Sequence, residues 1–205
     1  MALMSQAFDA SRAYAWALPN ILTYARIAAV PVVVACILGQ EVWLNWIAFG
    51  LYVAAAITDY IDGYLARAWG QQSPLGRMLD PIADKVLVST CLLAFAATGT
   101  ISGYTLWAAV VILCREILVS GLREFLAELQ VSLPVTRLAK WKTAAQLVAV
   151  GALVAGPAGD AIQPGFTIVG LVLLWISALL TLYTGYDYFR AGLHQVFNDH
   201  PGAHE

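Results

Sequence analysis

Apolar residues recur along the chain in six long runs, at about 21–38, 42–65, 78–98, 104–126, 140–157 and 165–189. Each run is close to the roughly 20 residues that a helix needs to cross a bilayer. Breakers or polar residues separate them: Gly39-Gln40-Glu41, Gly70 to Pro74, Gly99 to Gly103, Ser132 to Pro134, and Gly156-Pro157 through Pro164. Ahead of the first run, Met4, Phe8, Tyr14, Trp16 and Leu18 alternate with Ser5, Gln6, Asp9 and Arg12. That alternation predicts a short amphipathic helix lying in the membrane interface, with a tail lacking structure as the alternative. Arg26 inside the first run, with no small-x-small cleavage pattern after it, argues against a cleaved signal peptide. The expectation is a single-domain, all-α integral membrane protein of six transmembrane helices plus an N-terminal interfacial helix. Residues 1–18 form the juxtamembrane segment, 19–190 the six-helix domain and 191–205 a tail.

Composition agrees, since 60% hydrophobic residues and a mean hydropathy of +0.73 exceed what the core of one 205-residue soluble domain can hide. With 12% charged residues and a net charge of -2, the chain gives no sign of a nucleic-acid partner. Cys36, Cys91 and Cys114 sit in apolar stretches without metal-ligand spacing and are expected to be buried packing residues. Trp16, Trp43, Trp46, Trp107 and Tyr183 fall near span ends and suit an aromatic belt. If the N-terminus is cytoplasmic, every Arg and Lys lies in cytoplasmic loops or cytoplasmic halves of spans, while the opposite loops hold only Glu41 and Asp160. Both termini then face the cytoplasm.

Against that background the charges within the spans need a reason, because ionised groups in a membrane are costly and mark function. On the second helix a 100° step per residue places Asp59, Asp62, Gly63, Ala66 and Arg67 within one arc of about 140°. On the third, Gly76, Asp80 and Asp84 stand at i, i+4 and i+8, so a second acidic row can face the first across the 70–75 turn. Four converging carboxylates stay ionised at low dielectric only beside cations, and oxygen ligands without His or Cys favour Mg²⁺ or Mn²⁺. Gly63 and Ala66 leave room for a ligand to approach the backbone, and Arg67 offers a planar fork suited to phosphate. The plain alternative pairs these aspartates with Arg67, Arg77 and Lys85 as salt bridges at the membrane edge.

The pattern Asp59-x2-Asp62-Gly63-x2-Ala66-Arg67-x8-Gly76-x3-Asp80-x3-Asp84, eight fixed positions in 26 residues, resembles the signature of the CDP-alcohol phosphatidyltransferases. The resemblance implies a six-helix membrane fold, a CDP-diacylglycerol donor, transfer of its phosphatidyl group to an alcohol, release of CMP, two divalent ions and a homodimer. It implies Asp59, Asp62 and Asp80 as principal metal ligands, with Asp84 near the second metal and acting as general base. Gly63, Ala66, Arg67, Ser73 and Gly76 would bind the donor's nucleotide and diphosphate. The stretch Pro19-Asn20-x2-Thr23-x2-Arg26 resembles the family's N-terminal element, which makes Asn20, Thr23 and Arg26 donor-binding candidates. The same stretch also reads as a helix start, with Asn20 as N-cap and Arg26 reaching head groups. No Gly-x-Ser-x-Gly or His-x-Lys pattern supplies a protein nucleophile, which favours direct displacement.

In the fourth run Arg115 and Glu116 interrupt apolar sequence, and Arg123 and Glu124 follow near its end. Mutual Arg–Glu neutralisation explains them in one way. In another, Arg115 with Lys140 and Lys142 forms a cationic pocket for a phosphorylated alcohol. The segments 115–125 and 140–143 resemble the branch of the family that makes phosphatidylglycerol phosphate. That resemblance implies glycerol 3-phosphate as acceptor, held by Arg115, Arg123, Lys140 and Lys142, at the cytoplasmic face of a bacterial-type inner membrane. A sister transferase acting on inositol phosphate, serine or phosphatidylglycerol would keep the aspartates and change that pocket. A divalent-cation transporter would need polar residues through the outer halves of the spans, which here are apolar.

Overall fold

The computed structural model describes residues 18–68, 74–128 and 137–198. The proposed N-terminal interfacial helix lies outside these residues, apart from Leu18, which begins the first helix. Among the described residues there are six helices and no strand: α1 Leu18–Leu38, α2 Val42–Ala68, α3 Pro74–Ala97, α4 Thr105–Glu128, α5 Arg137–Ile162 and α6 Phe166–Asn198. Five are long and apolar enough to cross a membrane, over Asn20–Leu38, Val42–Asp59, Thr105–Ala127, Trp141–Ile162 and Phe166–Gly192. The chain is a multi-pass membrane protein. α3 has 24 residues, about 36 Å of helix, but Arg77, Asp80, Asp84 and Lys85 crowd its first half, while its second half is uncharged and apolar apart from Ser89 and Thr90. At 33 residues, about 50 Å, α6 is longer than the roughly 30 Å hydrocarbon layer.

Local chemistry explains several helix ends. Pro74 opens α3, at a position where the missing N–H costs no hydrogen bond. Between α1 and α2 the chain turns through Gln40, at φ 53°, and a Cβ on Gly39 would collide with Leu44. The sequence places a loop from Gly156-Pro157 onward, yet α5 continues to Ile162. Its last turns lie close to the start of α6: a Cβ on Gly156 would come 3.0 Å from Thr167 Oγ1, and one on Gly159 would strike Phe166. Asp160 then accepts from the Thr167 backbone N–H at 3.1 Å and from the Thr167 hydroxyl at 2.5 Å, satisfying a donor in the first turn of α6. Gly156 and Gly159 are thus contact points between helices, and the reversal comes later, at Gly165 with φ 95°.

Two compact units divide the chain, residues 1–100 with 151–167 and residues 101–150 with 168–205. In the first, α1 packs on both α2 and α3. Its core holds Val33, Ala48, Tyr52, Ala83, Leu87, Leu92, Phe95, Leu153 and Val154. Gly151 brings α5 onto α2, where an added Cβ would lie 3.2 Å from Tyr52 Cε1. In the second unit Ile112, Val119, Leu126, Val150, Leu174 and Ala178 are buried. Gly192 lets α6 approach Leu122 and Leu126 of α4, each 3.2 Å from an added Cβ. Trp43, Ile57, Leu93, Leu118, Val148 and Leu179 point outward, as lipid-facing positions do. Trp43, Trp46 and Trp107 are exposed near helix ends, whereas Tyr183 is exposed in the middle of α6, and Trp16 lies outside the described residues. Cys36 and Cys91 are buried, but Cys114 is exposed on α4, contrary to expectation.

Candidate active site

The aspartate motif spans two helices, and the third helix of the site is α1. Asn20, Thr23 and Arg26 follow one another at i, i+3 and i+6, on one face of α1, and all three are buried. From that face the Thr23 hydroxyl donates to Asp80 Oδ1 at 2.8 Å. Arg26, its side chain 1% exposed, forms an ion pair through Nη1 with Asp59. A guanidinium this deep is tolerated only when paired. α1 therefore holds one carboxylate of α2 and one of α3 through two adjacent turns. The sequence offers Thr23 and Arg26 as donor-binding candidates, and pairs the aspartates with Arg67, Arg77 or Lys85 only in its plain alternative; neither reading contains these two links.

Asp59 remains 41% exposed at its side chain, so the pairing leaves it accessible. Asp80 and Asp84 are half-buried, one turn apart on α3, and Gly76 is buried a turn earlier. Asp84 lies within electrostatic range of the buried Tyr52 hydroxyl on α2. Asp62, Gly63, Ala66 and Arg67 belong to α2, but their side chains, like those of Arg77 and Lys140, lie outside the described residues; so does Ser73. Among the described residues no three His, Cys, Asp or Glu side chains form a metal-holding group. The donor set itself suits a hard divalent ion: Asp59 and Asp80 present carboxylate oxygens, and one of the two is fixed by a neutral hydroxyl.

The second unit holds a separate polar cluster. Glu116 Oε1 lies 3.5 Å from Arg115 Nη1 and forms an ion pair with Lys142 of α5. Arg115 Nη2 donates to Thr184 Oγ1 of α6 at 3.0 Å, and its guanidinium carbon is 5.9 Å from the centre of the Tyr188 ring. The structure thus joins Arg115 and Lys142 through one carboxylate, whereas Arg123 is exposed further along α4. Thr184 and Tyr188 give no sequence signal beyond a polar residue and an aromatic at i and i+4 in an apolar run.

Residues 16–183 match the CDP-alcohol phosphatidyltransferase family. The chain belongs to this family. Among curated CDP-alcohol phosphatidyltransferases, a protein of Cereibacter sphaeroides is 40% identical, covering 87% of this chain and 96% of its own length. One from Rickettsia bellii is 45% identical over 85% and 94%, and one from Pectobacterium atrosepticum 38% over 87% and 96%. All three are CDP-diacylglycerol--glycerol-3-phosphate 3-phosphatidyltransferases. The family signature accordingly falls on α2 and α3, where α1 grips two of its four aspartates.

Proposed function

We propose that this membrane protein transfers the phosphatidyl group of CDP-diacylglycerol to glycerol 3-phosphate, forming phosphatidylglycerol phosphate and releasing CMP. The observation that carries the reading is the joint anchoring of Asp59 and Asp80, from two different helices, by Arg26 and Thr23 of α1. Relatives alike over most of their length bear the name of this activity.

Asp59, Asp62, Asp80 and Asp84 would hold two divalent ions, Mg²⁺ or Mn²⁺, which when bound supply positive charge to the donor's diphosphate and the departing CMP. Thr23 and Arg26 keep Asp80 and Asp59 oriented, so little reorganisation is needed as charge develops. Arg67 and Ser73 would contact the diphosphate and nucleotide, with Gly63, Ala66 and Gly76 leaving space along the helix faces and Asn20 closing the α1 side. Asp84 would accept the proton of the acceptor hydroxyl. The freed oxygen attacks the phosphorus bearing the diacylglycerol, and the bond from that phosphorus to the CMP oxygen breaks. Arg115 and Lys142, joined through the Glu116 carboxylate, would offer charged donors to the acceptor's phosphate, with Arg123 and Lys140 adding to the field. We place this chemistry at the cytoplasmic face of an inner membrane, with both termini cytoplasmic, in a homodimer.

The test is CMP release by purified protein given CDP-diacylglycerol and, separately, glycerol 3-phosphate, inositol phosphate, serine or phosphatidylglycerol. Release with glycerol 3-phosphate alone, and only with a divalent ion, is expected. Turnover with another acceptor instead would overturn the substrate while leaving the reaction class intact.

A further inference from the structure

We infer that Thr184, Gly185 and Tyr188 of α6 are positioning residues that fix the Arg115 guanidinium for the acceptor's phosphate. This rests on the reading of Arg115 as a phosphate ligand and extends it to a helix that no motif marks. Three independent features meet at one side chain. The Thr184 hydroxyl accepts from Nη2 at 3.0 Å and is anchored by its own bond to the Leu180 carbonyl at 2.9 Å. One turn on, the buried Tyr188 ring stands 5.9 Å from the guanidinium carbon. Between them Gly185 leaves the space the arginine stem occupies: a Cβ there would come 2.9 Å from Arg115 Cγ and 3.4 Å from Nε.

An arginine crossing a small-residue gap, tied at one end and lying against a ring, has few rotamers left. Flexible side chains lose entropy on capturing a ligand, and a side chain already held loses less. Arg115 is not saturated by this cradle. Its Nε is buried and has no hydrogen-bond partner among the described residues, and its contact with Glu116 is a long one at 3.5 Å. A buried donor in that state calls for an acceptor oxygen, which a phosphate supplies. Helix packing alone would explain Gly185, but would not need Thr184 to turn its oxygen to the guanidinium.

The experiment measures kcat and both KM values, together with calorimetric binding of glycerol 3-phosphate, for four single variants and one double variant. Arg115→Gln tests the underlying reading; an unchanged KM for glycerol 3-phosphate there would reject Arg115 as its phosphate ligand. Given a raised KM in Arg115→Gln, Thr184→Val is expected to raise the same KM about tenfold, as loss of a hydrogen bond to a charged group does. Thr184→Ser should restore it, and the KM for CDP-diacylglycerol and kcat should stay within about twofold. Gly185→Ala should have the larger effect, because Arg115 must move at its stem. If that variant fails to fold, Thr184→Val, which keeps the side chain's shape, still decides. Combining Arg115→Gln with Thr184→Val should add nothing to Arg115→Gln alone, since Thr184 acts through Arg115. Additive effects, or a Thr184→Val that lowers kcat and raises both KM values alike, would overturn the inference.

Discussion

The two polar regions of this protein are assembled around opposite charges. In the first unit α1 supplies an arginine to Asp59 of α2 and a threonine to Asp80 of α3. In the second unit, Arg115 and Lys142 share Glu116. There two carboxylates are each held by a side chain of α1, and here one carboxylate holds two cations. Charge in an apolar setting is costly unless paired, and both regions meet that cost with partners drawn from other helices.

Removing divalent ions gives the sharpest test of the acidic side. Chelation with EDTA should abolish CMP release, and Mg²⁺ or Mn²⁺ should restore it, while the second unit's charges remain untouched. Asp84→Asn should lower kcat by about 10²–10⁴-fold with small changes in either KM, the range for loss of a general base. Full activity in that variant would move the base elsewhere. On the basic side, Arg115→Glu or Lys142→Glu should raise the KM for glycerol 3-phosphate at least about tenfold and leave that for CDP-diacylglycerol nearly unchanged. A matching rise in the donor's KM would break the division of labour between the regions. The smallest effect is expected from Thr23→Val, which keeps the shape of the side chain but deprives Asp80 of its donor. Calorimetry should show Mn²⁺ binding weakened about tenfold, the lower end for loss of a residue that orients a ligand.

How much of this could be read from the sequence differs between the regions for a physical reason. Apolar runs announce the six helices of the described residues, five of them of bilayer length, and the acidic motif is legible because its eight positions fall within 26 residues on two consecutive helices. Helix periodicity orders residues on one helix but does not say which other helix they meet. Thr23 and Asp80 are 57 positions apart, Arg26 and Asp59 33, Lys142 and Glu116 26, and Arg115 and Thr184 69. The sequence therefore offers the aspartates only nearby basic residues as partners, and offers Arg26 either the donor or the lipid head groups. The same blindness misplaced the end of α5, because Gly156 reads as a breaker until Thr167 is found against it.

Arg26 also bears on how the protein is made. It lies in α1, which is synthesised before α2, and its carboxylate is encoded 33 residues later. A charge within a span costs roughly 2.5–3.5 kcal/mol at mid-membrane on insertion scales, less near the interface where the side chain can reach water. Until α2 has been synthesised, Asp59 cannot compensate that charge, so α1 by itself should settle shallowly with Arg26 at the membrane surface. Arrival of α2 and α3 brings Asp59 and Asp80 into contact with Arg26 and Thr23. The packing of these three helices and the seating of both carboxylates would then mature in one event, and a chain interrupted after α1 would hold neither.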